Sequence, residues 1–273
     1  NRSEAEIAGY RSVLDLVHRS ARDMPFTPEV VLQMHRDMHA FTGVPGGQWK
    51  GVENHIEEVL PGGHREIVFR TLPAAAVPDG MRDLHAFTRE ALEAGRHHRL
   101  LVTGAYVLDF LCIHPFLDGN GRMSRLLTLL LLYRAGYGVG RYVSLERVVE
   151  QSRDAYYGAL RASSEGWHTG VHDPWPWMGY LLGTVVAAYG TFEERVGVLG
   201  ARGAKTEAIE EFVASLPPGH VFRVADVRRI AGGASDSHIS KVLSGLRERG
   251  LISPRGRGRG ASWERSGVAG DAG

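Results

Sequence analysis

Between His114 and Arg125 the chain reads HPFLDGNGRMSR, and the residue types there point to one kind of chemistry. Gly119, Asn120 and Gly121 favour backbone conformations that turn successive N–H groups toward one point, a concave array that binds anions. A helix predicted to open at Gly121 adds its unpaired N–H groups and the positive end of its dipole. Arg122 and Arg125 are three residues apart, near one face of that helix, where guanidinium forks meet phosphate oxygens. Met123 and Ser124 complete the same turn. Asp118 is a carboxylate beside the expected phosphates, an arrangement in which a hard divalent cation such as Mg²⁺ removes the repulsion. His114 opens the loop, and an imidazole with its ordinary pKa of ~6.5 suits taking a proton from an attacking hydroxyl at neutral pH. Pro115 stiffens the loop and Phe116 is expected to plug it into the core. Together these residues predict a di- or triphosphate site with a general base beside it.

Such a loop needs rigid elements on both sides. Ile7, Tyr10, Val13 or Leu14 and Val17 recur at three- and four-residue spacing, which predicts a helix over Glu4 to Arg22. Thr27 as N-cap and Pro28 at the first position start a second helix, with Val31, Met34, Met38 and Phe41 as its inner face. The string TGVPGG breaks the pattern. Two extended runs follow, Val52 to Leu60 and Arg65 to Phe69, joined by Pro61-Gly62-Gly63-His64 as a β-hairpin. Helical periodicity returns over Pro78–Glu93, His98–Ile113 and Gly121–Ala135, the last stopped by Gly136, and again over Leu145–Ser163 and Pro174–Val198. The apolar run Leu126 to Tyr133 falls far short of the ~18 residues of a membrane span and reads as a buried core helix.

HPFLDGNGRMSR resembles the Fic-family signature HxFx(D/E)GNGRxxR at every defined position. The resemblance implies a mainly α fold, a Fic-type helical bundle with a small β-hairpin flap, over residues 1–200. It implies transfer of a nucleotide monophosphate, usually AMP from ATP, onto a Ser, Thr or Tyr hydroxyl of a target protein. In that comparison His114 is the base, Asp118 holds Mg²⁺, and Gly119 to Gly121 cradle the phosphates. The turn through Met123 and Ser124 sits against the nucleotide, and Arg122 and Arg125 neutralise developing charge. GGQWKG, the hairpin and LPAAAVPDGM resemble the family's flap region and its exit. Arg65, Glu66, Ile67, Val68 and Phe69 then form the flap strand, whose edge adds a target segment and brings its hydroxyl near His114. Lys50 stands where relatives usually carry Arg. Asp154-Ala155-Tyr156-Tyr157 resembles a segment whose tyrosines contact the nucleoside, and Ser164 stands where the family has Asn. Many relatives restrain themselves with a segment of Ser or Thr, three residues, then Glu followed by Gly or Asn. No such string occurs in residues 1–273, and Glu4–Arg22 resembles the helix that follows it in relatives. The restraint is therefore expected upstream of Asn1, and this chain is expected to be derepressed.

Plainer roles stand beside these. Tyr156 and Tyr157 suit core or interface aromatics, Arg65 and Glu66 suit solvated hairpin charges, and His97, His98, His168 and His172 have no metal-ligand company. Trp167, Trp175 and Trp177 are expected to pack helices.

The 273 residues allow one large domain and a small one, and 43% apolar residues support a real core. A net charge of +1 excludes a chain that coats nucleic acid or membrane along its whole surface. Cys112 is the single cysteine, which rules out an internal disulfide and fits a reducing, cytoplasmic setting. The opening residues show no targeting pattern and begin at Asn1, so a processed or partial chain is expected. Around Gly200 the periodicity lapses and a linker is predicted. Beyond it, ten basic residues face four acidic ones between Arg223 and Arg265. Helices over Lys205–Leu216, Val224–Ala231 and Ser235–Arg249, then a hairpin around Arg255-Gly-Arg-Gly-Arg-Gly, resemble a winged helix-turn-helix over residues 201–265. Ser237, His238, Ser240 and Lys241 lie on the helix that would enter a DNA major groove, with Arg255, Arg257 and Arg259 in the wing. Residues 266–273 are expected to be a disordered tail. Protein binding by this domain and a homodimer remain open. So do a DNA-binding regulator whose Fic-like domain senses nucleotide, and a relative that removes AMP or transfers another phosphate-containing group.

Overall fold

A computed structural model describes residues 2–59, 62–256 and 262–266. The chain runs α1 (Arg2–Ser20), α2 (Pro28–Met38), β1 (His55–Val59), β2 (Arg65–Arg70), α3 (Val77–Ala94), α4 (Arg99–Ile113), α5 (Asn120–Arg134), α6 (Leu145–Gln151), α7 (Arg153–Ser164) and α8 (Trp175–Ser215). Then come β3 (Val221–Phe222), α9 (Val224–Ile230), α10 (Asp236–Glu248), β4 (Ile252–Arg255) and β5 (Ser262–Arg265). Two compact units result, Asn1–Phe192 and Glu193–Gly273.

In the first unit, α4 and α5 are apolar on nearly every side and form the centre, as the run Leu126 to Tyr133 requires. Helix α5 packs on α1 and α4, α3 packs on α4, and α1 on α2. Thr27 accepts the Val30 N–H to cap α2, whose Val31, Met34 and Met38 are buried. Phe41 is 61% exposed, because α2 ends at Met38 and its inner face ends with it. The helix expected over Leu145–Ser163 is broken at Ser152, whose hydroxyl donates to the Val148 carbonyl at 2.9 Å and competes with the backbone ladder. The single antiparallel hairpin β1–β2 carries one extra residue, Val68, where the register passes from Ile56 opposite Phe69 to Glu57 opposite Ile67.

The linker expected around Gly200 is absent: α8 is helical from Trp175 to Ser215. Isolated glycines cost a helix only ~1 kcal/mol each, and the stretch between Gly197 and Ser215 holds no proline. The second unit sets residues of α8 beyond Phe192 with α9, α10 and an antiparallel sheet of order β3-β5-β4. Ile209, Val213, Phe222, Val227, Ile239, Leu243, Leu246 and Ile252 are its core. Arg257, Arg259 and residues 267–273, the wing tip and most of the expected tail, lie outside the described residues. Among the described residues no helix is long and apolar enough to cross a membrane.

Candidate functional site

Helix α4 stops because His114 takes a left-handed conformation, φ 50° and ψ 62°, and donates its N–H to the Phe110 carbonyl at 3.0 Å. A residue with a Cβ pays ~1–2 kcal/mol for that geometry. The imidazole Nδ1 lies 3.2 Å from the Leu111 carbonyl, which only accepts, so Nδ1 carries the proton and Nε2 keeps its lone pair. Burial pushes the His114 pKa down to about 4; the Leu111 bond opposes this and the Lys50 cation adds to it. At neutral pH the ring is uncharged with Nε2 ready to accept a proton.

The rest of the loop is held by side chains. Asn120 accepts the Phe116 N–H at 2.9 Å through Oδ1 and donates Nδ2 to the Phe116 carbonyl at 2.7 Å. The fully buried Phe116 ring stacks on His35, 3.7 Å between centroids and 2° from parallel. His35 accepts the Gly47 N–H on Nδ1 at 2.9 Å and therefore donates Nε2–H to the Asp118 carbonyl at 3.1 Å. Burial holds its pKa down to about 4. Gly119, at φ 86°, caps α5; a Cβ there would lie 2.7 Å from Met38 Cε. Gly121 differs. A Cβ on it would meet only the Arg125 guanidinium, at 3.7 Å, so the space beside that cation at the helix N-terminus is open.

Asp118 is 61% exposed, with Oδ1 accepting the Gly119 N–H at 2.6 Å and Oδ2 accepting from Arg122 at 3.1 Å. Arg122 also donates to Glu6 of α1 at 3.3 Å. Arg125 lies beside Tyr10, whose hydroxyl donates to Glu146. A cavity of about 430 Å³ opens there, lined by Glu6, Tyr10, Arg122, Arg125, Ser144 and Glu146. A phosphate reaching Arg122 from this side must displace the Glu6 carboxylate. Among the described residues no three acidic, His or Cys groups gather to hold a metal. Asp118 as a lone carboxylate suits Mg²⁺, which takes one or two carboxylates and fills the rest with phosphate oxygens and water.

The other residues singled out in the sequence divide. Asn120, Met123 and Ser124 are buried, and the Ser124 hydroxyl donates to the Gly121 carbonyl at 2.9 Å. Tyr156 is buried edge-on against Tyr157, Trp177 and Tyr180, with its hydroxyl toward Ser124. These four side chains are turned into the packing behind the N-terminus of α5, away from the open space beside Gly121. Tyr157 is 56% exposed, with the Arg153 guanidinium 5.7 Å from its ring centre. In the flap, Arg65, Glu66 and Ile67 are exposed while Val68 and Phe69 are half-buried. Phe69 stacks on His168, and His168 donates Nε2–H to the Arg70 carbonyl at 2.6 Å. Arg161 of α7 pairs with Glu58 of β1 at 2.9 Å. Glu6, His35, Lys50, Asn54 and Thr71 belong to this neighbourhood and were not among the residues singled out for chemistry. Their signal in the sequence was slight: polar groups beside apolar ones, as His35 between Met34 and Met38, or Lys50 after Trp49.

A model described as the Fic/DOC family matches residues 25–132. The chain is similar to the protein adenylyltransferase Fic of Drosophila ananassae, 29% identical over 169 residues, covering 59% of this chain and 29% of that protein. Its similarity to the protein adenylyltransferase Fic of Drosophila grimshawi is 27% over 165 residues, covering 59% and 30%. The chain thus spans under a third of the length of these curated relatives. A crystal structure of a Fic family protein from Desulfovibrio desulfuricans superposes with a TM-score of 0.59 at 21% identity, covering 99% of this chain and 77% of that one. Fic-1 from C. elegans gives 0.54 at 19% identity, covering 73% and 52%. These structural likenesses identify the fold as the mainly helical Fic type with its small hairpin.

Two outcomes test the phosphate site. Gly121→Ala is expected to keep or slightly raise the melting temperature, since Ala is ~1 kcal/mol better in a helix, while nucleoside triphosphate binding by calorimetry falls. Equal affinity in that variant would mean that phosphate does not use this space. Glu6→Gln is expected to tighten the same binding by about 5-fold, by removing one of the two carboxylates that hold Arg122, in a partly buried ion pair of ~1 kcal/mol.

Proposed function

We propose that the Fic/DOC family domain matched over residues 25–132 is a nucleotidyltransferase that moves AMP from ATP onto a Ser, Thr or Tyr hydroxyl of a protein. One observation carries the reading: an uncharged histidine with a free Nε2 stands at the entry to a helix N-terminus that also bears two arginines. His114 Nε2 takes the hydroxyl proton as the oxygen forms its bond to the α-phosphorus. The bond to the β-phosphate oxygen breaks, and pyrophosphate leaves. The N–H groups opening α5, with Arg122 and Arg125, meet the negative charge that builds on the phosphates. A divalent cation held by Asp118 and the phosphate oxygens would neutralise more of it. The exposed stretch Arg65–Ile67 of the flap presents the acceptor segment by strand addition. The names of the Drosophila relatives agree with this chemistry.

His114→Ala is expected to cut incorporation of α-labelled AMP into protein by ~10²- to 10⁴-fold, the usual worth of a general base, and to leave ATP binding intact. Incubation with several labelled nucleotides and lysate distinguishes AMP transfer from AMP removal or transfer of another phosphate-containing group; persistent labelling in the variant sinks the assigned base. The sign of the pH dependence follows from the depressed pKa. As pH falls through about 4, Nε2 becomes protonated and kcat/KM drops, while above that value this limb stays flat.

A second reading concerns the unit beyond Phe192, where three helices precede a β-ribbon in the manner of a winged helix that binds DNA. It is supported by Lys241 and Arg247, which are exposed on α10 near Ser237, Ser240 and Ser244 with no partner among the described residues. Four other arginines of the unit are compensated: Arg228 pairs with Asp236, Arg229 with Asp226, Arg249 with Glu210 and Arg255 with Glu264. His238, expected at the groove, contacts Thr206 at 3.2 Å. Reversing the two α10 cations, Lys241→Glu with Arg247→Glu, is expected to weaken duplex DNA binding at least ~10-fold in fluorescence anisotropy at low salt; unchanged binding would remove the groove assignment.

A further inference from the structure

Resting on the transferase reading, we infer that Lys50 is a positioning residue that fixes His114 and the base of the flap in one register. Lys50 is 3% exposed. Its ammonium has three N–H donors and spends them on Asn54 Oδ1 at 2.7 Å, Thr71 Oγ1 at 2.7 Å and the Ile113 carbonyl at 3.3 Å. Its backbone N–H donates to the Pro115 carbonyl at 2.8 Å. One residue thus grips the carbonyls on either side of His114.

Its other two partners belong to the flap. Asn54 immediately precedes β1 and Thr71 immediately follows β2, so the two stems of the hairpin meet on the Lys50 ammonium. The Thr71 hydroxyl donates on to the Asn54 carbonyl at 2.8 Å, and Asn54 Nδ2 donates to the Phe116 carbonyl at 2.9 Å. Leu72 adds an N–H to the Cys112 carbonyl at 3.3 Å. Lys50 and the two flap stems are therefore tied to the carbonyls of Cys112, Ile113, Pro115 and Phe116, all the carbonyls of this stretch but that of His114 itself, so the base and the foot of the flap share one set of anchors.

A neutral side chain of the same length would leave the Ile113 carbonyl without a donor in a buried place and Asn54 Oδ1 with the Thr71 hydroxyl alone, a costly arrangement that the loop relieves by shifting. The left-handed His114 is the residue such a shift displaces. Of the charged groups around the imidazole, Lys50 bears on it directly and Glu53 bears on Lys50. Burial draws the Lys50 pKa down to about 8 against the pull of Glu53, so the ammonium persists at neutral pH.

The test compares Lys50→Met, Lys50→Arg and Thr71→Val with the natural chain. Long-range proton–nitrogen spectra of the nucleotide-free protein report the tautomer and titration midpoint of His114 without any need for activity. With Met at position 50 the midpoint is expected to rise and the Nδ1–H tautomer to lose its dominance. The kcat for AMP transfer is expected to fall about 10- to 100-fold, as for a misplaced base, with KM for ATP unchanged and with most of kcat regained in Lys50→Arg. A folded Lys50→Met protein with the wild-type midpoint, tautomer and kcat overturns the assignment, as does a Lys50→Arg protein equally impaired. Should the Met variant fail to fold, Thr71→Val, which removes one acceptor of Lys50 together with the hydroxyl's bond to Asn54 and keeps the shape, is read by the same spectra and rates, with smaller shifts in the same directions required. If the natural chain transfers no nucleotide at all, the transferase reading fails, while the His114 spectra still decide the role of Lys50.

Discussion

Only six residues, His114 to Gly119, separate α4 from α5, and both ends of that connection must be left-handed. His114 pays for this at one end, and Gly119 adopts it at the other with φ 86° and no Cβ to strike Met38. So short a bend between two buried helices survives because its interior is satisfied. The Asn120 amide closes a ring on both backbone groups of Phe116, and the Phe116 ring is clamped by His35, Trp49 and Phe110. Everything polar that faces outward, from the imidazole Nε2 to the N–H groups opening α5, takes its direction from this closure.

Burial also decides charge. His114 and His35 are both drawn to a pKa of about 4, and each uses one nitrogen on a backbone carbonyl. His35 has its second nitrogen occupied as well, by the Gly47 N–H, and is thereby confined to holding structure. His114 keeps its second nitrogen open. Two histidines of similar burial and similar acidity thus differ in what they can do because of one hydrogen bond.

Much of this was legible along the chain. The 3.6-residue pattern located α2 to α5, Thr27-Pro28 marked where α2 starts, and the dense string from His114 to Arg125 marked the loop. Pairings across long stretches of chain were not legible. Arg122 meets Glu6, 116 residues away, and Lys50 meets Ile113, 63 residues away, and no local period encodes either. Asn120, Met123, Ser124 and Tyr156 show the related difficulty that a motif names positions but not directions. Their side chains turn inward because the surrounding helices offer them burial and partners there. At Ser152 and Gly200 local tendency was a poor guide in opposite senses: a serine ended a helix that looked continuous, and a glycine failed to end one that looked broken.

The extra residue in β2 limits how long a visiting strand can remain in step. From Arg65 to Ile67 the backbone repeats regularly; at Val68 the alternation is interrupted, and from Phe69 onward the chain is committed to Trp167 and His168. A segment pairing alongside therefore finds about three residues of uninterrupted ladder, a grip made mainly by main-chain atoms common to all sequences. Such a grip is short and chemically undemanding. Under the proposed strand addition, such a grip would measure the distance from the paired stretch to the acceptor oxygen more strictly than it reads the side chains in between, and tolerance of varied sequences would be a property of the bulge itself.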